Sequence, residues 1–135
     1  MLNHPSVYSM TITVSEKDLD QLGHVNNVVY IQWVQDVAES HWLMLSTPDI
    51  RKQIAWVVIR HEIDYRKAAF RNERLTLTTW VGETEGVRSV RYVKITNEAS
   101  QIIAEARTTW CMIDAVTQRP KRITDDIRQL FILKN

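Results

Sequence analysis

The densest cluster of polar side chains in this chain of 135 residues lies between residues 18 and 27. It contains Asp18, Asp20, His24, Asn26 and Asn27. A carboxylate can attack an acyl carbon or activate water, and an imidazole can move a proton. The cluster precedes a helical pattern, and the free N–H groups and dipole of a helix start favour developing negative charge. Together, these groups can hydrolyse an activated acyl group without a metal ion.

Two other interpretations of this cluster stay open at the level of sequence. Asp and Asn before a helix commonly act as caps and turn formers, and His24 can be a hydrogen-bonded loop residue. Asp18, Asp20 and His24 could also reach one metal ion, but no further His or Asp follows with clear ligand spacing. We therefore expect no metal site.

The elements around the cluster follow from two periodicities. Residues 8–15 alternate between apolar and polar types, which predicts a half-buried strand, and the polar stretch 16–27 with Gly23 predicts a loop. Beyond it, mostly apolar residues recur at three- and four-residue steps, which is typical of an amphipathic helix, and Pro48 closes the segment. These residues are Tyr30, Trp33, Val34, Val37, Ala38, His41 and Leu45.

Strand patterns dominate the rest of the chain. We expect four strands over residues 57–65, 75–81, 89–96 and 101–114, then a short helix after Pro120 that Thr124 could cap. Because the connections are short, neighbouring strands should pair antiparallel, and one helix covering a sheet is an α+β arrangement. In the first of these strands we expect two faces: Val57, Ile59, His61, Ile63 and Tyr65 on one, and a charged outer ladder of Arg60, Glu62, Asp64 and Arg66 on the other.

Composition favours one soluble domain over residues 1–135. Apolar residues make up 44% of the chain and charged residues 24%, and the formal net charge of +1 argues against a surface for nucleic acid or membranes built on bulk charge. Cys111 is the only cysteine, which suits a reducing compartment. The N-terminus has no signal-peptide pattern, and the longest apolar run, residues 54–59, is far shorter than the about 20 residues that span a bilayer. We expect a cytoplasmic protein.

A family resemblance is carried by residues 18–33, which read D-L-D-Q-L-G-H-V-N-N-V-V-Y-I-Q-W. This stretch closely resembles the signature of the 4-hydroxybenzoyl-CoA thioesterase-like branch of the hotdog superfamily. Its H-V-N-N-x-x-Y-x-x-W part is also similar to plant acyl-ACP thioesterases. Residues 61–68, H-E-I-D-Y-R-K-A, resemble the central-strand segment of the same branch. The resemblance implies a curved antiparallel sheet of five to six strands wrapped around one long central helix.

The resemblance also implies roles for individual residues. Asp20 stands where bacterial members keep a catalytic Asp, Asn27 where a backbone N–H meets the thioester carbonyl, and His24 where plant enzymes keep a catalytic-site His. Two departures concern the neighbours: the plant pattern has Asn where this chain has Leu22, and some bacterial relatives have His in place of Asn27. We further expect substrate contacts from Asn26, Tyr30, Trp33 and His61. The pattern alone favours core positions for Tyr30 and Trp33 and a core or pocket-lining position for His61, and the resemblance places this helix face near the acyl pocket.

The function implied is hydrolysis of an acyl-CoA thioester to free acid and coenzyme A, with no cofactor other than the coenzyme A of the substrate. Two alternatives remain: hydrolysis of an acyl carrier protein thioester, and a non-catalytic module that binds or senses acyl-CoA. The resemblance implies a homodimer or homotetramer with active sites between subunits. Candidates for the coenzyme A phosphates are Lys67, Arg88, Arg91 and Arg107.

Overall fold

The computed structural model describes residues 4–133. Its elements are β1 (Tyr8–Thr13), a single 3-10 turn (Glu16–Asp18), α1 (Asn27–Leu45), α2 (Pro48–Gln53), β2 (Ile54–Tyr65), β3 (Arg74–Glu85), β4 (Arg88–Thr96), β5 (Ile102–Asp114) and α3 (Asp125–Leu130). The strands form one antiparallel sheet in the order β1-β3-β4-β5-β2. The predicted order of one strand, a long helix and four strands is confirmed, and the described sheet has five strands.

The long helix α1 packs its apolar face on the sheet. Asn26 is its N-cap, with the side-chain Oδ1 accepting a hydrogen bond of 3.0 Å from the N–H of Val28, which satisfies one of the free donors of a helix start. The buried residues of the helix are Tyr30, Trp33, Val34, Val37, Ala38 and His41, as the periodicity predicted. The first half of this stripe meets inward side chains of β3, β4 and β5, including Leu77, Val93 and Ala106.

A second short helix follows where we expected only the end of the first. Pro48 does not simply close α1 but opens α2, where the hydroxyl of Thr47 accepts a hydrogen bond of 3.3 Å from the N–H of Ile50. Proline fits the first helical position because its fixed φ is helical and no N–H is needed there. The chain then enters β2 directly at Ile54.

The expected face of β2 is wrong over its first half because of a β-bulge. The pairing with β5 shifts register between Val58 and Arg60, which leaves Ile59 without a partner of its own. One extra residue shifts the alternation, so Val57 lies on the same side of the sheet as Arg60, Glu62 and Asp64. His61 and Ile63 stay on the side that faces α1.

The charged outer ladder on β2 is confirmed. Glu62 accepts ion pairs from Arg60 at 3.4 Å and from Arg107 of β5 at 3.2 Å, and Arg66 reaches Glu105 at 3.2 Å. All these groups are solvent-exposed or nearly so, and exposed pairs contribute little to stability.

The C-terminal helix begins as predicted, with Thr124 at the N-cap position of α3. Its hydroxyl does not cap the backbone, however, and instead donates to the carboxylate of Asp126. Within residues 4–133, no helix is long and apolar enough to cross a membrane.

Candidate active site

The loop between β1 and α1 folds back on itself around Asp20. The N–H of Asp20 donates to the carbonyl of His24 at 2.7 Å, and the N–H of Gly23 donates to the carbonyl of Asp20 at 3.1 Å. Gly23 has φ of +80°, a left-handed conformation that glycine adopts without strain. The tight turn therefore fixes the backbone that carries the carboxylate.

The carboxylate of Asp20 is held by one oxygen and open at the other. Its Oδ1 accepts hydrogen bonds from the N–H groups of Leu22 at 2.9 Å and His24 at 3.1 Å. Within residues 4–133, no donor reaches Oδ2, and the side chain is exposed. The arrangement leaves one anionic oxygen, held in a fixed orientation, available for an incoming group.

The neighbouring Asp18 makes hydrogen bonds that stabilise the loop. Its Oδ2 accepts hydrogen bonds from both the N–H and the hydroxyl of Ser15, at 2.9 and 3.1 Å. Its carbonyl accepts the N–H of Asn26 at 2.9 Å, which closes the loop onto the start of α1. In the part of the chain that the structure describes, no cluster of three His, Cys, Asp or Glu side chains is placed to hold a metal ion.

His24 lies beside Asp20, but its ring points elsewhere. The imidazole packs edge-on against the ring of Phe70, with centroids 5.1 Å apart. Its backbone bridges Phe70, and the next residue, Val25, donates its N–H to the carbonyl of Ala69 at 3.0 Å. The segment after β2, at Ala69 and Phe70, therefore packs against the loop and stabilises it. Asp20 is oriented by backbone N–H groups, while the His24 ring makes no hydrogen bond to that carboxylate.

The start of α1 offers one free backbone donor. Asn26 uses its side chain to cap Val28 and its carbonyl to accept the N–H of Val29. Among the described residues, the N–H of Asn27 has no acceptor, and Asn27 itself is exposed. The loop closure by Asp18 and Asn26 thus brings the Asp20 turn and this donor into one short, internally bonded segment.

Tyr30 and Trp33 lie in the core. They are 3% and 8% exposed, and their rings meet edge-to-face with centroids 5.5 Å apart. Burial raises the pKa of Tyr30 to about 12, so its hydroxyl remains protonated. The sequence left substrate contact and core packing open for this pair, and the structure places both side chains in the core on the buried face of α1.

His61 lies at the boundary between sheet and helix. Its Nδ1 is 2.9 Å from the hydroxyl of Thr108 on β5, and its Nε2 is 3.4 Å from the amide nitrogen of Gln35 on α1. Burial lowers the pKa of His61, which favours the neutral ring. Gln35 was not singled out in the sequence, where a glutamine between apolar helix positions gives no distinct signal.

The candidates for coenzyme A phosphates separate into outer and inner residues. Lys67 donates to Gln101 at 2.8 Å and Arg107 pairs with Glu62, and these two and Arg88 are exposed. Arg91 is only 6% exposed and lies on the inner side of β4. It cannot be a surface phosphate contact, and the alternation of buried residues along β4, in phase with Val93, was the signal that places it inside.

Comparison with known proteins agrees with this architecture. Residues 5–131 match the model of the acyl-ACP thioesterase N-terminal domain. The chain belongs to the acyl-ACP thioesterase family. As a member of it, the chain is a thioester hydrolase.

Individual relatives extend the assignment. The chain is 30% identical over 124 residues to the long-chain acyl-CoA thioesterase FadM of Escherichia coli K12, covering 87% of this chain and 92% of that protein. A structure of the probable thioesterase YbaW of Escherichia coli is 28% identical, with a TM-score of 0.79 over 90% of this chain and 94% of that one. A 4-hydroxybenzoyl-CoA thioesterase complexed with 4-hydroxybenzoyl-CoA is 14% identical, with a TM-score of 0.81 over 93% and 98% of the two chains. The family member described here therefore has the hotdog fold that the motif implied.

Proposed function

We propose that this protein hydrolyses acyl-CoA thioesters, with Asp20 as the reacting carboxylate. The observation that carries the proposal is the geometry of that side chain. Two backbone N–H groups hold Oδ1, whereas Oδ2 of this exposed residue has no donor among residues 4–133. Such a carboxylate loses little orientational freedom when it meets a substrate, which is the entropic advantage of a prearranged catalytic group.

The free oxygen can act in either of two ways. As a nucleophile, Oδ2 attacks the thioester carbonyl carbon, the C–S bond breaks, and the thiolate of coenzyme A leaves and takes a proton from solvent. Water then hydrolyses the mixed anhydride to the free acid and regenerates Asp20. As a general base, the same oxygen instead takes a proton from the attacking water.

The start of α1 supplies the second component. In the proposal, the N–H of Asn27 donates to the thioester oxygen as negative charge develops there, and the helix dipole supports the same charge. A positioned base contributes roughly 10²–10⁴ in rate, and one oxyanion donor about 10²–10³. Asp20 and Asn27 are needed together because neither contribution alone gives efficient turnover.

The remaining candidates have supporting roles in the proposal. His24 and Asn26 hold the Asp20 turn and the helix start and border the bound thioester. His61 borders the acyl group from the helix side of the sheet, and Tyr30 and Trp33 support that wall from the core. Coenzyme A belongs to the substrate, and the reaction as drawn needs no further cofactor or metal. We place the reaction in the cytoplasm.

Hydrolysis of acyl carrier protein thioesters is the second candidate function. The family model that matches is named for that substrate, and carrier protein and coenzyme A present the same pantetheine arm. The sequence left a non-catalytic binding or sensing role open as well. The free oxygen of Asp20 favours catalysis over that role, because sensing does not need an oriented, unpaired carboxylate.

The test is an assay of the purified protein with short, long and aromatic acyl-CoAs and with acyl carrier protein thioesters, following release of free thiol. We expect turnover of at least one acyl-CoA and little with the carrier protein. Faster turnover of carrier protein thioesters would transfer the proposal to that substrate. Tight acyl-CoA binding without thiol release would support the sensing role and contradict hydrolysis.

A further inference from the structure

A cavity of about 380 Å³ lies under the second half of α1, away from the Asp20 loop. Its walls come from α1, α2, the starts of β2 and β4, the ends of β3 and β5, and the C-terminal Phe131. Gln35 and Leu43 mark its extent along the helix. With a rise of 1.5 Å per residue, they lie about 12 and 24 Å from the helix start. The volume falls within the range of small-molecule sites, roughly 300–1,000 Å³.

The walls are largely apolar with several aromatic rings, and one wall carries a buried positive charge. Trp42, Trp56, Trp110 and Phe131 supply the aromatic surface, and Arg91 reaches the cavity from β4. Arg91 is 6% exposed. Within residues 4–133, no carboxylate lies within ion-pair distance of its guanidinium, since the described ion pairs all involve other residues.

The polar partners of Arg91 are neutral, and both contact the same guanidinium nitrogen, Nη1. Its Nη1 donates to Nδ1 of His41 at 2.8 Å and to the hydroxyl of Thr79 at 3.1 Å. The described residues provide no acceptor for the N–H groups on Nη2 and Nε. Because a guanidinium carries five N–H donors, most of the donor capacity of Arg91 is unused.

His41 stabilises the side-chain position of Arg91 without neutralising its charge. Desolvation, together with the positive charge of Arg91, lowers the pKa of His41 to about 4, so the ring is neutral at physiological pH. Since Nδ1 accepts from Arg91, the proton lies on Nε2 and faces the hydroxyl of Ser6 at 3.4 Å. Burial lowers the pKa of Arg91 to about 10, which still leaves the guanidinium charged.

Two tryptophans that line the cavity have buried N–H groups without acceptors among the described residues. The indole N–H groups of Trp56 and Trp110 are both buried and have no hydrogen-bond partner among the described residues. Buried donors of this kind are normally paired. The donors that an occupant of the cavity could meet are therefore those of Arg91, and an occupant that brings acceptors and negative charge would complement them.

We propose that this cavity binds a carboxylate at the end of an apolar chain, with the carboxylate on Arg91 and the chain against the tryptophans. A carboxylate matches the planar fork of a guanidinium and can accept two parallel hydrogen bonds. The aromatic walls favour an aliphatic body over a small hydrophilic anion. The ligand can arise in two ways: as the released acid, or as the distal carboxyl of a dicarboxylic monothioester.

The other charges at the cavity do not cancel that of Arg91. Arg51 donates to the carbonyl and hydroxyl of Ser46, at 2.8 and 2.9 Å, and adds a second positive charge. Glu39 is exposed at the cavity and is the one carboxylate among its lining residues. The lining residues thus carry a net positive charge that suits an anionic end group.

Calorimetric titration of the wild-type protein tests the proposal without any turnover. The probes are decanoate, 1-decanol and decylamine, which share the same chain and differ in the end group. We expect decanoate to bind at least about tenfold more tightly than the alcohol, which corresponds to the energy of one charge-assisted hydrogen bond. Equal affinity for the acid and the alcohol, or no binding of the acid, would overturn the proposal.

Substitutions place the binding on Arg91. Arg91→Met should remove the preference for decanoate, because Met keeps an unbranched apolar stem and carries neither the charge nor the N–H donors. Arg88→Met, on the exposed side of the same strand, should keep the preference. If Arg91→Met bound decanoate as the wild type does, the carboxylate would lie elsewhere and the proposal would be wrong.

Kinetics separate the two sources of the carboxylate. A KM for sebacoyl-CoA below that for decanoyl-CoA, with the difference lost in Arg91→Met, identifies the distal carboxyl of a substrate. Equal KM values, with inhibition by decanoate that Arg91→Met abolishes, identify the released acid. The binding preference stands even if neither thioester is hydrolysed, so failure of this proposal is distinguishable from failure of the proposed hydrolysis.

Discussion

At the scale of single residues, hydrogen bonding separates two carboxylates that look alike in the sequence. Oδ2 of Asp18 accepts hydrogen bonds from the N–H and hydroxyl of Ser15, whereas one oxygen of Asp20 has no donor in the part of the chain that the structure describes. Both belong to the same loop and both lie near the start of α1. The two residues therefore differ in geometry: the side chain of Asp18 closes the loop, and that of Asp20 points outward from it.

His41 makes the stability of the protein depend on pH. Folding lowers its pKa from 6.5 to about 4, so the unfolded chain binds more protons between these values. The free energy of unfolding is therefore highest above pH 6.5, where His41 is neutral in both states. It decreases by up to about 3 kcal/mol as the pH falls towards 4. Folding lowers the pKa of His61 as well, which acts in the same direction.

Urea unfolding between pH 7 and pH 4.5 measures this dependence. His41→Asn keeps an acceptor for Arg91 but cannot take up a proton, so its free energy of unfolding should fall less steeply with pH than that of the wild type. The slope that remains in the variant is assigned to His61 and the carboxylates. Identical slopes for both proteins would show that His41 is not the titrating group.

The sequence could reveal groups of candidate functional residues only where those residues lie close together along the chain. Asp20, His24 and Asn27 lie within one short segment, so their proximity followed from the motif. Arg91 and His41 lie 50 positions apart along the chain and come together only through packing of α1 on β4. Their contact has no signature in the sequence, although the alternation along β4 shows that Arg91 faces inward.

At the scale of elements, the periodicity predicted α1 and the four later strands but not the irregularities between them. The bulge at Ile59 is invisible in the sequence because Val57, Ile59 and His61 continue a regular alternation of two. The short helix α2 was missed because Pro48 reads equally as the end of one helix and the start of another. Both irregularities shape the edge strand β2.

The free edge of β2 is where we expect the second subunit. β2 has 12 residues and pairs only with β5 in the described sheet. Val57 and Ile59 are 44% and 46% exposed near its middle. The backbone N–H and C=O groups on an unpaired strand edge are a template for pairing with a strand of another chain.

Light scattering coupled to size exclusion tests this interface. The wild type should run as a dimer or tetramer, and Ile59→Lys should shift it to smaller species by placing a charge at the edge. Val116→Lys, at a turn residue that is 84% exposed, is the matched control and should have no effect. A monomeric wild type, or an oligomer unchanged by Ile59→Lys, would contradict the assignment of the interface to β2.

At the scale of the whole molecule, one helix connects the two proposed sites. The Asp20 loop is hydrogen-bonded to the start of α1, and the second half of α1 forms one wall of the cavity that contains Arg91. The sequence predicted the first region because a family motif spans it. It could not predict the second, whose walls come from two helices, four strands and the C-terminal Phe131 and exist only once the sheet has curved around the helix.

The most direct test of the account compares acyl-CoA hydrolysis by the wild type, Asp20→Asn and Asp18→Asn. Asn at position 20 keeps an oxygen for the N–H groups of Leu22 and His24, so the loop should stay intact while the anionic oxygen is lost. We expect thiol release to fall by about 10²–10⁴ in Asp20→Asn and to change little in Asp18→Asn, with both variants unfolding at wild-type urea concentrations. Near-full turnover by Asp20→Asn would contradict the central claim that its carboxylate performs the reaction.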